Sequence, residues 1–227
     1  MTQPRHHPSR PALQDPARAT RRSVLAGAAA LAVPPWLLFT PAARAAAQVG
    51  QPAPGFSVMD SHGRMRTLQE FQGKLIALEW TNHECPFVRK HYGAGNMQNL
   101  QREATAAGVV WLSVISSAPG EQGYVQGPEA NQQTAGRNAA PTAVLLDPQG
   151  VMGRAYGAQT TPHMYLVAAD GRLLYGGGID SIPSPRPSDI QTATPFFRNA
   201  LHEALAGKPI TTAVTRAYGC NVKYGPA

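Results

Sequence analysis

The 227-residue sequence predicts an α/β domain with a mixed central sheet and helices on both of its faces. Three observations carry this: short apolar runs of strand length, helical-period segments between them, and two apolar runs set about Asp170-Gly171 as a hairpin. Strands linked through helical crossovers run parallel, whereas a tight hairpin is antiparallel, so the combination makes the sheet mixed.

The elements follow in order. After a Pro-rich lead, Lys74 to Trp80 (KLIALEW) is an apolar run that reads as a buried strand. NHECPFVRKHYG, Asn82 to Gly93, follows it directly. NMQNLQREATAAG spaces Met97, Leu100, Ala104 and Ala107 at three and four residues, behind Asn96 as a cap and before Gly108, which predicts a helix packed on one face. Val109 to Ser117 is a second buried strand. Ala118 to Gly136 is polar and broken by Gly and Pro, the pattern of a loop with a short helix. TAVLLDPQG is a strand ending in a turn, and HMYLVAADGRLLYGGG holds the hairpin. In PFFRNALHEALAGKP, residues Phe196, Phe197, Ala200, Leu201, Ala204 and Leu205 form a helical stripe, with Gly207 at its stop and Pro209 beyond. No internal repeat and no second domain boundary is visible.

Three segments are expected: an export signal at 1–45, a domain at 46–210 and a tail at 211–227. In the first, paired Arg21 and Arg22 precede an apolar run from Val24 to Phe39 that ends near AARA, the pattern of a twin-arginine signal. That run is Ala-rich, broken by Pro34-Pro35, and shorter than the roughly 20 apolar residues of a spanning helix. Cleavage after Ala45 is expected to leave a periplasmic protein without a stable membrane anchor; an uncleaved anchor is the competing reading. The segment holds six of the 20 basic and one of the 13 acidic residues. The remainder therefore carries 14 against 12, a net charge of +2 in place of +7, and nucleic acid is not an expected partner.

Only two cysteines occur, Cys85 and Cys220. Cys85 stands where a buried strand hands over to a helix, and Pro86 suits the first helical position because its missing N–H would be unsatisfied there anyway. Free N–H groups and the helix dipole favour a thiolate at such a place, and His83, Arg89, Lys90 or His91 would add positive charge if directed inward. Thr161-Pro162 sits at the entry to the hairpin, where a proline is better explained by a cis turn or a ligand-facing bend than by ladder pairing.

A strand leading to Cys-Pro at a helix start, with Thr-Pro before a hairpin, resembles the thioredoxin fold. More narrowly, EWTNHECPFVRKHY, LLDPQGVMGRAYGAQTTPHMYLVAADGRLLYGG, LAGKP and YGCNVKYG resemble the exported peroxiredoxin-like (alkyl-hydroperoxide-reductase/thiol-specific-antioxidant-like) proteins of the thioredoxin superfamily. The resemblance runs over nearly all of the chain after the signal. It implies a thioredoxin-like fold, a redox-active thiol at Cys85, and a cis-proline at Pro162 lying against it; Thr161, His83 and Cys220 are expected to join them as catalytic residues. The implied substrate is a peroxide or a disulfide and the implied partner an unidentified thiol reductant, with no cofactor or metal. Two departures stand out. Val88 occupies the position of a thioredoxin's second cysteine, so no local disulfide can form, and Asn82 occupies the Thr or Ser position of a typical peroxiredoxin.

Cys220 has three readings. It resolves an oxidised Cys85, it forms a static bridge, or both thiols stay unpaired as small hydrophobes. A bridge closing 134 intervening residues would stabilise the fold by about 5 kcal/mol in the chain-entropy model. The alternative function is a non-catalytic copper- or metal-binding module drawing on Cys85, His83, His91 and His163, although no spacing matches a closed zinc site. Trp80, Trp111 and Phe87 are expected as core or groove walls, and Asp147, Asp170 and Asp180 as turn formers. Glu79 either relays protons to Cys85 or alternates outward.

Overall fold

The computed structural model describes residues 46–226, so the expected export signal lies outside the described residues. Seven strands form one sheet in the order β2-β1-β5-β4-β3-β7-β8. They are β1 Ser57–Asp60, β2 Met65–Thr67, β3 Ile76–Trp80, β4 Val110–Ile115, β5 Ala143–Leu146, β7 His163–Val167 and β8 Leu173–Gly177. β3, β4 and β5 run parallel, while β7, β8, β1 and β2 join antiparallel. A separate two-stranded ladder pairs β6, Thr160–Thr161, with β9, Cys220–Asn221.

Every residue of β3 and β4 is buried, which is why both read as unbroken apolar runs. Their side chains alternate between two cores. Ile76, Leu78 and Trp80 face one that includes Met152 and Tyr156 of α4, Val151–Tyr156. Ala77 faces the other, beneath α1 (Pro86–Gly93), α2 (Asn96–Ala106) and α5 (Phe196–Leu205), where Val88, Leu100, Trp111, Phe197 and Leu201 pack. The short helix expected within 118–136 is α3, Gly127–Gly136.

Glu79 does neither of the things expected of it. It faces the helical side at 0 % exposure and accepts from Tyr92 Oη at 2.7 Å, Trp111 Nε1 at 2.9 Å, Ser113 Oγ at 2.9 Å and Gln101 Nε2 at 3.1 Å. Four donors compensate the buried carboxylate and tie α1, α2 and β4 to β3. Asn96 is not the cap of α2. Gly95 holds that position, and the Asn96 amide pairs instead with His91 Nδ1 at 2.9 Å.

The Pro-rich lead contains a hairpin, β1-β2, that the sequence pattern hides. In β1 the apolar Met59 is 43 % exposed while Asp60 is 1 % exposed, an inversion of the usual alternation. Asp60 is held by Arg66 Nη1 at 3.2 Å and by the N–H groups of His62 and Arg64, both at 2.9 Å. Burial pushes its pKa up, but these hydrogen bonds outweigh it and the net shift is downward.

Asp147 is more than a turn former. It is buried and accepts from Met152 and Gly153 N–H, closing the start of α4, and from Ser116 Oγ at 2.6 Å. Past α5 the chain returns across the domain. Ala118 N–H donates to Lys223 O at 2.8 Å, Val222 N–H to Gln159 O at 2.9 Å, and Tyr224 Oη to Ala158 O at 2.7 Å.

Candidate functional site

β3 delivers the chain to a short turn whose last residue, Cys85, is the N-cap of α1 with Pro86 at the first helical position. Asn82 fastens this turn. Its amide donates to Gln122 O at 3.2 Å and its Oδ1 accepts from Glu84 N–H at 2.9 Å, while Glu84 accepts from Gly123 N–H at 2.8 Å. A Cβ on Gly123 would lie 2.3 Å from the Asn82 side chain, so the glycine is required for this contact. Asn82 thus stitches the thiol-bearing turn to the 122–123 loop.

Cys85 is fully buried and its thiol donates to Thr161 O at 3.1 Å. The Thr161–Pro162 peptide is cis. Thr161 is also the register partner of Cys220 in the β6-β9 ladder, so the tail brings the second cysteine beside the first, close enough for each to shift the other's ionisation. Gly219, at φ +137°, makes this approach possible: a Cβ there would stand 2.0 Å from Thr161 O. Both cysteines are free thiols.

The two sulfurs are not equivalent. Burial raises the Cys85 pKa, but hydrogen bonds from Cys220, the Thr161 side chain and the backbone N–H groups of Val88 and Cys220 bring it below the ordinary thiol value. The Val88 N–H makes no capping bond to the neutral sulfur and favours the thiolate. Thr161 serves both states: its carbonyl accepts from the thiol, while its buried hydroxyl, unpartnered beside the neutral sulfur, donates to the anion. Cys220 goes the other way, pushed up to about 12 by burial and by the neighbouring Cys85. One thiol is poised to ionise and the other to keep its proton.

A titration of thiolate absorbance is therefore expected to show one step below the ordinary thiol range and one near pH 12. In Cys85→Ser the lower step disappears and the upper one moves down, because the charge and hydrogen bond that raised it are gone. A single step at an ordinary thiol pKa in the unaltered protein would show that the sulfurs do not interact.

Lys90 and His91 do not turn toward the thiol. Lys90 Nζ lies 3.1 Å from Asp180 Oδ2, 3.1 Å from Ile182 O and 3.2 Å from Tyr218 Oη. Tyr218 donates to the other Asp180 oxygen and packs its ring edge against Phe87 at 5.8 Å. His91 Nε2 lies 3.4 Å from Tyr218 Oη. Its pKa falls to about 4, chiefly through burial; Asp180 opposes that shift and Lys90 adds to it. This cluster clamps the tail to α1 two residues before Cys220, a role for Asp180 that its loop setting in the sequence conceals.

His83 is half-buried and lines a separate cleft with Val88, Arg89 and Tyr92. His163 stacks on Tyr165 at 4.5 Å, and burial lowers its pKa to about 4. Among the described residues no group of three or more His, Cys, Asp or Glu side chains stands together as a metal site. Along the tail on either side of Cys220 runs a groove of about 630 Å³ walled by Phe87, Pro183, Phe196 and Tyr218, with Thr160 and Arg216 at its sides.

The model of the AhpC/TSA family matches residues 49–175, from the lead into β8 and including Cys85 and Pro162. The chain belongs to the AhpC/TSA family. Its fold is the thioredoxin-like arrangement of that family, and solved structures share it. A hypothetical protein from Sinorhizobium meliloti 1021 aligns with a TM-score of 0.68 and 24% identity, over 81% of this chain and 98% of that one. An uncharacterized conserved protein from Geobacillus kaustophilus aligns with 0.68 and 22%, over 79% and 94%. A Chlorobium tepidum protein described as a thiol:disulfide interchange protein DsbE aligns with 0.52 and 22%, over 70% and 99%. At these identities the likeness concerns the fold. No curated protein is significantly similar to the chain. The AhpC/TSA match ends at residue 175, so the tail that supplies Cys220 lies beyond it.

Proposed function

We propose that the protein is a two-thiol oxidoreductase that reduces a small oxidant, a hydroperoxide in the first place, with Cys85 as nucleophile and Cys220 as resolving thiol. The observation that carries this is the β6-β9 pairing, which holds the two sulfurs together with opposite pKa shifts. The Cys85 thiolate attacks one peroxide oxygen and the O–O bond breaks. The products are a Cys85 sulfenic acid and an alkoxide, which takes up the proton that Cys85 gave. Cys220 then attacks the Cys85 sulfur, the S–O bond breaks, and hydroxide leaves with the Cys220 proton as water. An external thiol reduces the disulfide and closes the cycle. The twin-arginine pattern at Arg21 and Arg22 supports work in the periplasm.

A small oxidant is favoured because Cys85 is fully buried and β9 already occupies the Thr161 edge, where an extended chain would otherwise add as a strand. Exchange with a disulfide substrate is the second reading. It is favoured by the groups that lower the Cys85 pKa, which are hydrogen-bond donors with no cationic side chain among them.

The deciding experiment treats reduced protein with one equivalent of hydrogen peroxide or of cystine and maps the peptides without reduction. Peroxide is expected to yield a Cys85–Cys220 linkage with the loss of both thiols. Linkage with cystine alone would replace the first reading by the second, and two free thiols after either oxidant would overturn both.

A further inference from the structure

Beside α1 and the turn that carries His83 lies an open cleft of about 540 Å³, lined by His83, Arg89, Tyr92, Gln98 and Arg137 among others, and by no acidic residue. Its size falls in the range of small-molecule sites, about 300–1,000 Å³. Neither Arg89 nor Arg137 has a carboxylate partner among the described residues. Arg137 is laid over the Tyr92 ring, with Cζ 3.8 Å from its centroid. That stacking holds one face of the guanidinium and leaves its edge available for a bidentate contact.

The cleft also receives the start of α2. Its N-cap is Gly95, which has no side chain to cap the free N–H groups, and a Cβ there would meet nothing within 4 Å. The carbonyls that would repel an anion are already taken, since Gln98 Nε2 donates to Tyr92 O and to Arg137 O, both at 2.8 Å. The buried Glu79 carboxylate lies beyond the Tyr92 hydroxyl, engaged by its own four donors. Independently, three atoms in the lining lack any partner: His83 Nδ1, Arg137 Nε and Oε1 of Gln98, a residue only 7 % exposed. Buried polar groups without partners are costly, so these side chains gain if a polar molecule entering the cleft lets them turn toward it.

We propose that this cleft binds the oxyanion group, carboxylate or phosphate, of a small molecule. The site is independent of the thiol chemistry, although His83 places it two residues before Cys85. Arg89 and Arg137 contact the oxyanion, and the start of α2 supplies backbone donors.

The test is calorimetric titration of the full-length protein with inorganic phosphate and with succinate, against sodium chloride at matched ionic strength. Saturable binding of one equivalent of phosphate or succinate by about 10 mM is expected, absent with chloride, and whichever probe binds identifies the group. Arg89→Gln and Arg137→Gln are each expected to weaken it about tenfold or more, without changing single-turnover oxidation of Cys85. Arg89 is exposed, so its variant carries the test if loss of the Arg137 stack impairs folding. Absence of saturation with both probes, equal heats with chloride, or affinity unchanged in Arg89→Gln would overturn the site.

Discussion

Cys85→Ser is expected to lower oxidant reduction by about 1,000-fold or more, whereas Cys220→Ser stops turnover after one oxidation of Cys85. The asymmetry follows from the environments of the two sulfurs. Cys85 sits at the start of α1, and its thiolate is favoured by Cys220, Thr161 and two backbone N–H groups. Cys220 has none of that support, and the neighbouring Cys85 opposes its ionisation. A serine at 85 leaves a hydroxyl too weakly acidic to attack, and the remaining thiol is held protonated. A serine at 220 leaves Cys85 nucleophilic but gives its sulfenic acid no partner, so a sulfenic-acid-directed label should accumulate on residue 85. The two steps separate in a stopped-flow trace of peroxide consumption followed by multiple-turnover assay. Full turnover in Cys220→Ser would remove the tail from the reaction, and full activity in Cys85→Ser would place the chemistry elsewhere.

Asp180→Ala is expected to cost about 3–5 kcal/mol of stability, because it strands the ammonium of Lys90 in a site with no solvent access. Lys90 would keep only Ile182 O and the Tyr218 hydroxyl as partners. Tyr218 would lose the acceptor that pins the tail, so disulfide formation between Cys85 and Cys220 should slow along with the loss of stability. Removing both charges in Lys90→Met/Asp180→Leu should recover much of the stability, since no ion is then left unpaired. It should not recover the rate, because the Tyr218 clamp is still missing. Urea unfolding and the rate of peroxide-driven thiol loss measure the two effects. A double variant as unstable as Asp180→Ala would show that the pair itself, and not the stranded charge, supports the fold.

Much of this architecture is legible along the chain. Lys74 to Trp80 and Val109 to Ser117 announce β3 and β4 because strands covered on both faces are apolar throughout. The Asp170-Gly171 hairpin and α5 carry local signals of equal clarity. The β1-β2 hairpin escapes because Asp60 points in and Met59 out, a pattern stable only with Arg66 in reach. Glu79 and Asp180 mislead for a related reason: a buried carboxylate is compensated by donors from other elements, and nothing beside it in sequence names them.

The amino-acid sequence by itself determined the mixed sheet, the placing of Cys85 at a helix start, and the membership that those motifs express, because periodicity, capping and turn chemistry act over a few residues. Only the tertiary structure decided that Cys220 reaches Cys85, that Lys90 and His91 hold the tail instead of tuning the thiol, and that His83 faces another cleft. Those outcomes depend on where a strand of two residues docks against Thr160–Thr161 after the chain has travelled the length of the domain. Such a contact is set by packing and by the burial of charge, which no local pattern records.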